Sequence, residues 1–266
     1  MLLKEASCKE VVKSVLFILS IDTDSIDCIV LRNYFRLHMN IENIHILPEL
    51  KDRIHVFRNR KDAGEHLARM LQDNRQSDAI VLGIPAGGVP VAATLATQLD
   101  LPLVVMPVSK ILFPWTTESG FGAVAFDGTE WINEDMVKAH DMDKETIQTT
   151  IKAAQEKVQR RLHRFCGTKA FPELKDKTVI IVDDGIAAGS TMRAAIAALK
   201  KALVLKIILA VPTAHESSLY SLTDQVDAIY CANLRGGYSF AVAEAYEHWT
   251  DVTEEEVMEI IQQLDK

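Results

Sequence analysis

The chain has 266 residues, 48% of them hydrophobic and 25% charged, with a formal net charge of -8. That composition belongs to a globular protein large enough for one sizeable α/β domain and a smaller appendage. The acidic balance, with no dense Lys/Arg block, argues against a nucleic-acid surface. Cys8, Cys28, Cys166 and Cys231 are scattered without CxxC spacing, so neither a zinc site nor a disulfide scaffold is indicated, which fits a reducing compartment.

In chain order, the first fifty residues stand apart as an N-terminal extension. Lys9 to Ser20 and Ile26 to Leu37 read as short helices, and Pro48 marks a boundary. Val15 to Ile21 is the most apolar run near the start, far shorter than a membrane span and without a small-residue cleavage site before Asp22. A cytoplasmic protein without a membrane partner is the expectation.

From residue 51 onward helices and strands alternate. The pattern predicts a helix over Lys61 to Gln72, a buried strand over Ala79 to Gly83, a helix over Val89 to Leu99 and a second strand over Leu103 to Val108. Further on come a third strand, Thr178 to Val182, a helix from Thr191 to about Leu203, and strands at Ile207 to Val211 and Ala228 to Cys231. Such alternation implies a Rossmann-like, parallel five-stranded sheet flanked by helices, with right-handed crossovers. Residues 109 to 170 interrupt it. They carry a hairpin signal, Ala123 to Phe126 then Asp127-Gly128 then Thr129 to Ile132, and a charged helical stretch, Lys144 to Arg164. An insertion of that length between strands two and three reads as a cap over a functional site.

The most informative run is VIIVDDGIAAGST, Val179 to Thr191. A continuous apolar, β-branched strand delivers Asp183 and Asp184 to its carboxyl end, where open α/β sheets bind ligands. Ionised carboxylates only accept hydrogen bonds, so the pair suits the vicinal hydroxyls of a ribose or a divalent cation riding on it. Gly185 and Gly189 permit a tight turn, Ala187 and Ala188 keep side chains clear, and the following helix aims its first amides into the loop beside the hydroxyls of Ser190 and Thr191. Phosphate fits there. A second loop, Pro85-Ala86-Gly87-Gly88, follows the first strand; in a sheet of order 2-1-3-4-5 the two loops face each other across the topological switch point.

The Asp183 run resembles the phosphoribosyl pyrophosphate (PRPP) loop of the type I phosphoribosyltransferases. The resemblance extends over about three quarters of the chain. It includes an opening like FxxRxxAG (Phe57, Arg60, Ala63, Gly64), the P-x-GGV-x-VA loop (Pro85, Gly87 to Val89, Val91, Ala92) and a closing Y-x-x-[FW]-x-x-V-[ST]-[DE]-E-E-V (Tyr246, Trp249, Val252 to Glu255 onward). The opening and closing motifs suggest no mechanism by themselves.

The resemblance implies transfer of the phosphoribosyl group of PRPP to a nucleobase or similar nitrogenous acceptor, with release of pyrophosphate and with Mg²⁺ bound alongside PRPP. A PRPP- or nucleotide-sensing regulator on the same fold is the alternative. It implies the following roles: Asp183 and Asp184 for the ribose hydroxyls and the associated metal; Gly185 and Ala187 to Thr191 for the 5-phosphate; Ala86, Gly87 and Gly88 for pyrophosphate. The partners implied are PRPP and a small-molecule acceptor, with a homodimer expected. Many members have Arg or Lys where Ala86 stands, and Lys110, or Arg160, Arg161 and Arg164, are candidates to replace that cation. Ala187 occupies a position where hypoxanthine-guanine enzymes carry an Asp, so Glu118 is the candidate general base, with a plain exposed-loop residue as its other reading. Phe240 and Tyr246 are either base-stacking side chains or core.

Overall fold

The computed structural model describes residues 43–167 and 171–264. The two helices expected between Lys9 and Leu37 lie outside the described residues.

Six parallel strands form the main sheet. They are β1 (Ile44–Ile46), β2 (Ile80–Gly83), β3 (Leu103–Val105), β7 (Thr178–Val182), β8 (Lys206–His215) and β9 (Ala228–Arg235). Their order is β1-β9-β8-β7-β2-β3. The five strands legible in the sequence thus take the expected 2-1-3-4-5 order. The sixth, β1, pairs Ile44 to Ile46 with Ile229 to Cys231, so residues grouped by sequence with the first fifty complete this edge of the sheet.

Both faces are covered, which explains why the strands read as unbroken apolar runs. Val81, Ile180, Val182, Ile208 and Ala210 face the helices α1 (Arg60–Met70) and α2 (Gly88–Leu99). Leu82, Ile181, Leu209 and Val211 face α5 (Ser190–Lys201), whose Ala194, Ala195, Ala198 and Leu199 lie against them. Alternate residues of a strand point to opposite faces, so one apolar run serves two cores.

The strand expected over Leu103 to Val108 is divided. β3 stops at Val105, and Val108–Leu112 forms β4 of a separate antiparallel sheet with β5 (Gly120–Ala125) and β6 (Glu130–Ile132). Pro107 has no N–H to continue a ladder, which explains the break. The hairpin turn falls at Asp127-Gly128, with the Asp127 carboxylate accepting from the Thr129 amide at 2.9 Å and ion-paired to Lys201 of α5 at 3.1 Å. Two helices follow, α3 (Glu134–Ala139) and α4 (Lys144–Cys166), the latter capped by Asp143 accepting from the Thr146 amide. One face of the cap sheet, through Val108, Ala123 and Ala125, joins the core that contains α5. Ile111, Phe121 and Val124 form a second core with Ala154 and Val158 of α4. The cap is therefore a sheet held between two helices.

Strand β8 also runs past its expected end at Val211. Pro212 interrupts the pairing, yet Thr213, Ala214 and His215 resume it opposite Asn233, Leu234 and Arg235. A short helix, α6 (Glu216–Tyr220), follows, and the chain ends its described course in α7 (Glu254–Leu264), an element for which the sequence pattern gave no expectation. Within the extension the buried Asn233 accepts from the Thr213 hydroxyl at 2.7 Å and donates to the Arg53 carbonyl at 3.1 Å. Asn233→Ala would leave buried polar groups unpartnered, at about 1–3 kcal/mol each. The expected outcome is a lower urea midpoint with an unchanged m value, measured by equilibrium unfolding.

Candidate functional site

The two loops lie against each other. β2 and β7 are neighbours with Gly83 opposite Val182, so the chain leaves both strands at the same level. The Ile84 amide donates to the Val182 carbonyl at 2.9 Å, binding the start of one loop to the end of the other strand. Contact is so close that a Cβ on Gly87 would stand 2.6 Å from Cγ of Asp184, and one on Gly88 would stand 2.7 Å from Cα of Asp183. Only glycine leaves room for this approach. The Pro85–Ala86 peptide is cis. Ala86 packs beside a small cluster of Val89, Val105, Phe165 and Val257.

Asp184 is held from three sides. Arg60 Nε and Nη2 reach its Oδ2 at 3.0 and 2.9 Å. The Tyr246 hydroxyl donates to its carbonyl at 2.6 Å. Its own amide donates to Asp183 Oδ1 at 2.9 Å. Arg60 is in turn fixed by donating Nη1 to the Thr250 carbonyl at 2.7 Å and by lying 3.9 Å from the centre of the Trp249 ring. The opening and closing motifs, far apart in sequence, meet at one carboxylate.

Burial sets the electrostatics. It drives the Asp183 carboxyl well above the ordinary carboxylate range, reinforced by the neighbouring Asp184 charge and eased slightly by Lys110. Burial raises Asp184 as well, but the Arg60 guanidinium opposes it. The Tyr246 phenol is pushed well above its usual value, first by burial and then by Asp184, so it remains a donor.

The remainder of the 183–191 run is pinned to the extended strand. Ile186 donates to the Thr213 carbonyl at 3.0 Å and accepts from His215 at 2.9 Å, and the Ser218 hydroxyl donates to the Ala187 carbonyl. Gly189, at a φ of 78°, turns the chain into α5 without any side-chain cap. The first amides of a helix have no intrahelical partner, and Ser190 and Thr191 stand beside them. Gly185, Ala187, Ala188, Gly189, Ser190 and Thr191 thus form one short turn next to Asp183 and Asp184.

The other candidate residues take these places. Tyr246 is only 2% exposed, tilted against Phe57 and Trp249, so its ring has no free face for a base. It is core, and its role is to position Asp184. Phe240 lies near the ends of β8 and β9, edge-on to His215 and under Arg235, which pairs with Glu244 at 2.6 Å. Glu118 sits in the exposed turn between β4 and β5, its amide donating to the Thr116 hydroxyl. Of the candidate cations, Arg161 and Arg164 are committed to Glu254 and Glu255 of α7, while Arg161 Nη1 also reaches the Pro85 carbonyl at 3.4 Å. Arg160 is exposed.

Comparison with known proteins bears on the family. The profile of the phosphoribosyl transferase domain matches residues 135–232. Curated proteins from two strains of Mycobacterium tuberculosis, both named "Putative phosphoribosyl transferase", are 33% identical over 203 residues, covering 76% of this chain. The TT1426 protein of Thermus thermophilus is 27% identical, with a TM-score of 0.64 over 78% of this chain and 98% of its own. The chain belongs to the type I phosphoribosyltransferase family. It spans about half the length of the curated relatives it matches, 46%.

For this phosphoribosyltransferase relative, the residue that sequence reasoning underused is Arg60. It appeared within the opening motif, but its contact with Asp184 depends on folding across 124 positions. Tyr246 and Trp249 were visible as aromatic residues and not as supports. Arg60→Met should be strongly destabilising, by about 3–5 kcal/mol, because it leaves a buried carboxylate without its cation. Tyr246→Phe should cost less, about 1–3 kcal/mol for one lost partner. Thermal and urea unfolding of the two variants would check that order.

Proposed function

We propose that the protein transfers the phosphoribosyl group of PRPP to a nucleobase or similar nitrogenous acceptor. The carrying observation is the contact of the Gly87-Gly88 backbone with the Asp183-Asp184 pair at the switch point between β2 and β7. That crevice offers amides on one wall and carboxylates plus an uncapped helix start on the other, which is a suitable arrangement for a ligand with phosphate at both ends.

In this reading the turn from Ala187 to Thr191 holds the 5-phosphate, Asp183 accepts from the ribose hydroxyls, and the Ala86 to Gly88 backbone approaches the pyrophosphate. The bond from C1 to the pyrophosphate oxygen breaks as the bond from C1 to the acceptor nitrogen forms. The chain's contribution is to fix both ends in line and to stabilise the departing negative charge. Asp184, committed to Arg60, orients its neighbour and carries less of the ligand contact.

Magnesium fits the donor set as a companion of the substrate. Asp183 and Asp184 offer hard oxygen ligands, and among the described residues no third His, Cys, Asp or Glu joins them. An ion that arrives with phosphate oxygens and water needs only such partial support. Bound there, it would neutralise charge on the pyrophosphate.

The test is pyrophosphate release from PRPP and Mg²⁺ against a panel of purine and pyrimidine bases. Release is expected with at least one base, and Asp183→Asn should reduce it at least a hundredfold. Gly87→Val should abolish it, since the added carbons would occupy the position of the Asp184 carboxylate. Wild-type rates in either variant would remove the corresponding loop from the reaction. PRPP binding without turnover across the panel would favour the sensing reading instead.

A further inference from the structure

The turn that follows Asp184 is held from its outer side. The Ile186 carbonyl accepts from the His215 amide at 2.9 Å, and the Ala187 carbonyl accepts from the Ser218 hydroxyl. Among the described residues the one cis peptide is Pro85–Ala86, so both peptides here are trans, and a trans peptide points its N–H opposite to its carbonyl. The amides of Ala187 and Ala188 are therefore turned away from β8 and α6. Both residues are exposed, and neither amide donates to another group among the described residues.

Ser218 is steadied in turn by a chain of donors. Arg193 of α5 donates from Nη2 to the Ser221 hydroxyl, and that hydroxyl donates to the Ser218 carbonyl at 2.6 Å. A guanidinium has no acceptor, so the direction of the chain is fixed. The same guanidinium lies 5.2 Å from the centre of the Trp131 ring of β6. Arg193 is half-buried, and no carboxylate pairs with it among the described residues. With no ion pair to make, it is engaged in holding Ser221 against the cap. Reversal of the Ala187–Ala188 peptide would put a carbonyl oxygen where the Ala188 amide stands, and an anion would meet an acceptor there instead of a donor.

We propose that Arg193, Ser221 and Ser218 form a brace that keeps this peptide in the orientation an anion requires, which makes Ser218 and Arg193 positioning residues for the 5-phosphate of the substrate. The inference rests on the PRPP reading above and names what holds its phosphate turn. Through the Trp131 ring the brace also ties the cap sheet to the phosphate end of the crevice.

The test is calorimetric titration of the full chain with ribose 5-phosphate and with Mg²⁺ and PRPP, alongside amide NMR spectra. The variants are Ser218→Ala, Ser218→Thr, Arg193→Met, and Ser218→Ala combined with Arg193→Met. Loss of one hydrogen bond that holds the turn should weaken both ligands about tenfold in Ser218→Ala and about fivefold in Arg193→Met. Losses along one chain do not add, so the double variant should match Ser218→Ala, while Ser218→Thr, which keeps the hydroxyl, should bind within about threefold of wild type. At saturating ribose 5-phosphate the Ala187 and Ala188 amide signals should move in the wild type and in Ser218→Thr, and move less in Ser218→Ala. Wild-type affinity in Ser218→Ala would overturn the inference while leaving the PRPP reading intact. So would a double variant weakened by the product of the two single losses, or weakening accompanied by altered amide signals throughout the main sheet. A wild-type protein that binds neither ligand would remove the parent reading and this inference together.

Discussion

The buried ion pair between Arg60 and Asp184 is the interaction on which the rest of the site depends. A carboxylate against the backbone of a glycine loop cannot remain charged without a partner, and a guanidinium only 8% exposed cannot either. Each is fully engaged. Arg60 has Asp184, the Thr250 carbonyl and the Trp249 ring; Asp184 has Arg60 and the Tyr246 hydroxyl. The cost of burying two charges is thereby spread over a network whose members come from α1, the end of β7 and the segment before α7. Fixing Asp184 also fixes Asp183, whose Oδ1 accepts from the Asp184 amide.

The sheet supplies the remaining constraint. With β2 beside β7, two loops that begin at one level must share a crevice, and glycine at positions 87 and 88 lets them touch. The cap adds a third wall. Because the β4-β5-β6 sheet joins the core of α5 on one face and packs on α4 with the other, the helix that follows the 183–191 turn and the long helix of the cap are held by the same slab.

The strand order, the hairpin and the long cap helix were legible in the sequence because each follows from local pattern. Apolar runs bounded by glycine, an Asp-Gly turn and a capped amphipathic stretch need no tertiary information. The Asp183 to Thr191 turn was legible for the same reason. Two proline effects were not legible. Pro107 ended β3 early and started the cap sheet, whereas Pro212 failed to end β8, since Asn233 and Thr213 re-form the ladder beyond it. Tyr246 could not be assigned from its neighbours. Whether an aromatic ring is a platform or a pillar is decided by what stands on its other side, here Phe57 and Trp249. The value of Arg60 was hidden likewise, being a property of a contact across the whole domain.

That long-range closure has a consequence for how the protein is made. A ribosome delivers β2, its glycine loop, the cap and β7 well before Trp249 and Thr250 emerge. Until they do, Arg60 lacks two of its partners and Asp184 lacks the Tyr246 hydroxyl. The sheet order, with β7 between β2 and β8, lets the scaffold assemble as it is synthesised, but the site is locked only once residues 246–250 have followed. A chain that stops short of Tyr246 can therefore hold much of the fold without presenting a finished crevice, and binding competence marks a chain translated past Thr250.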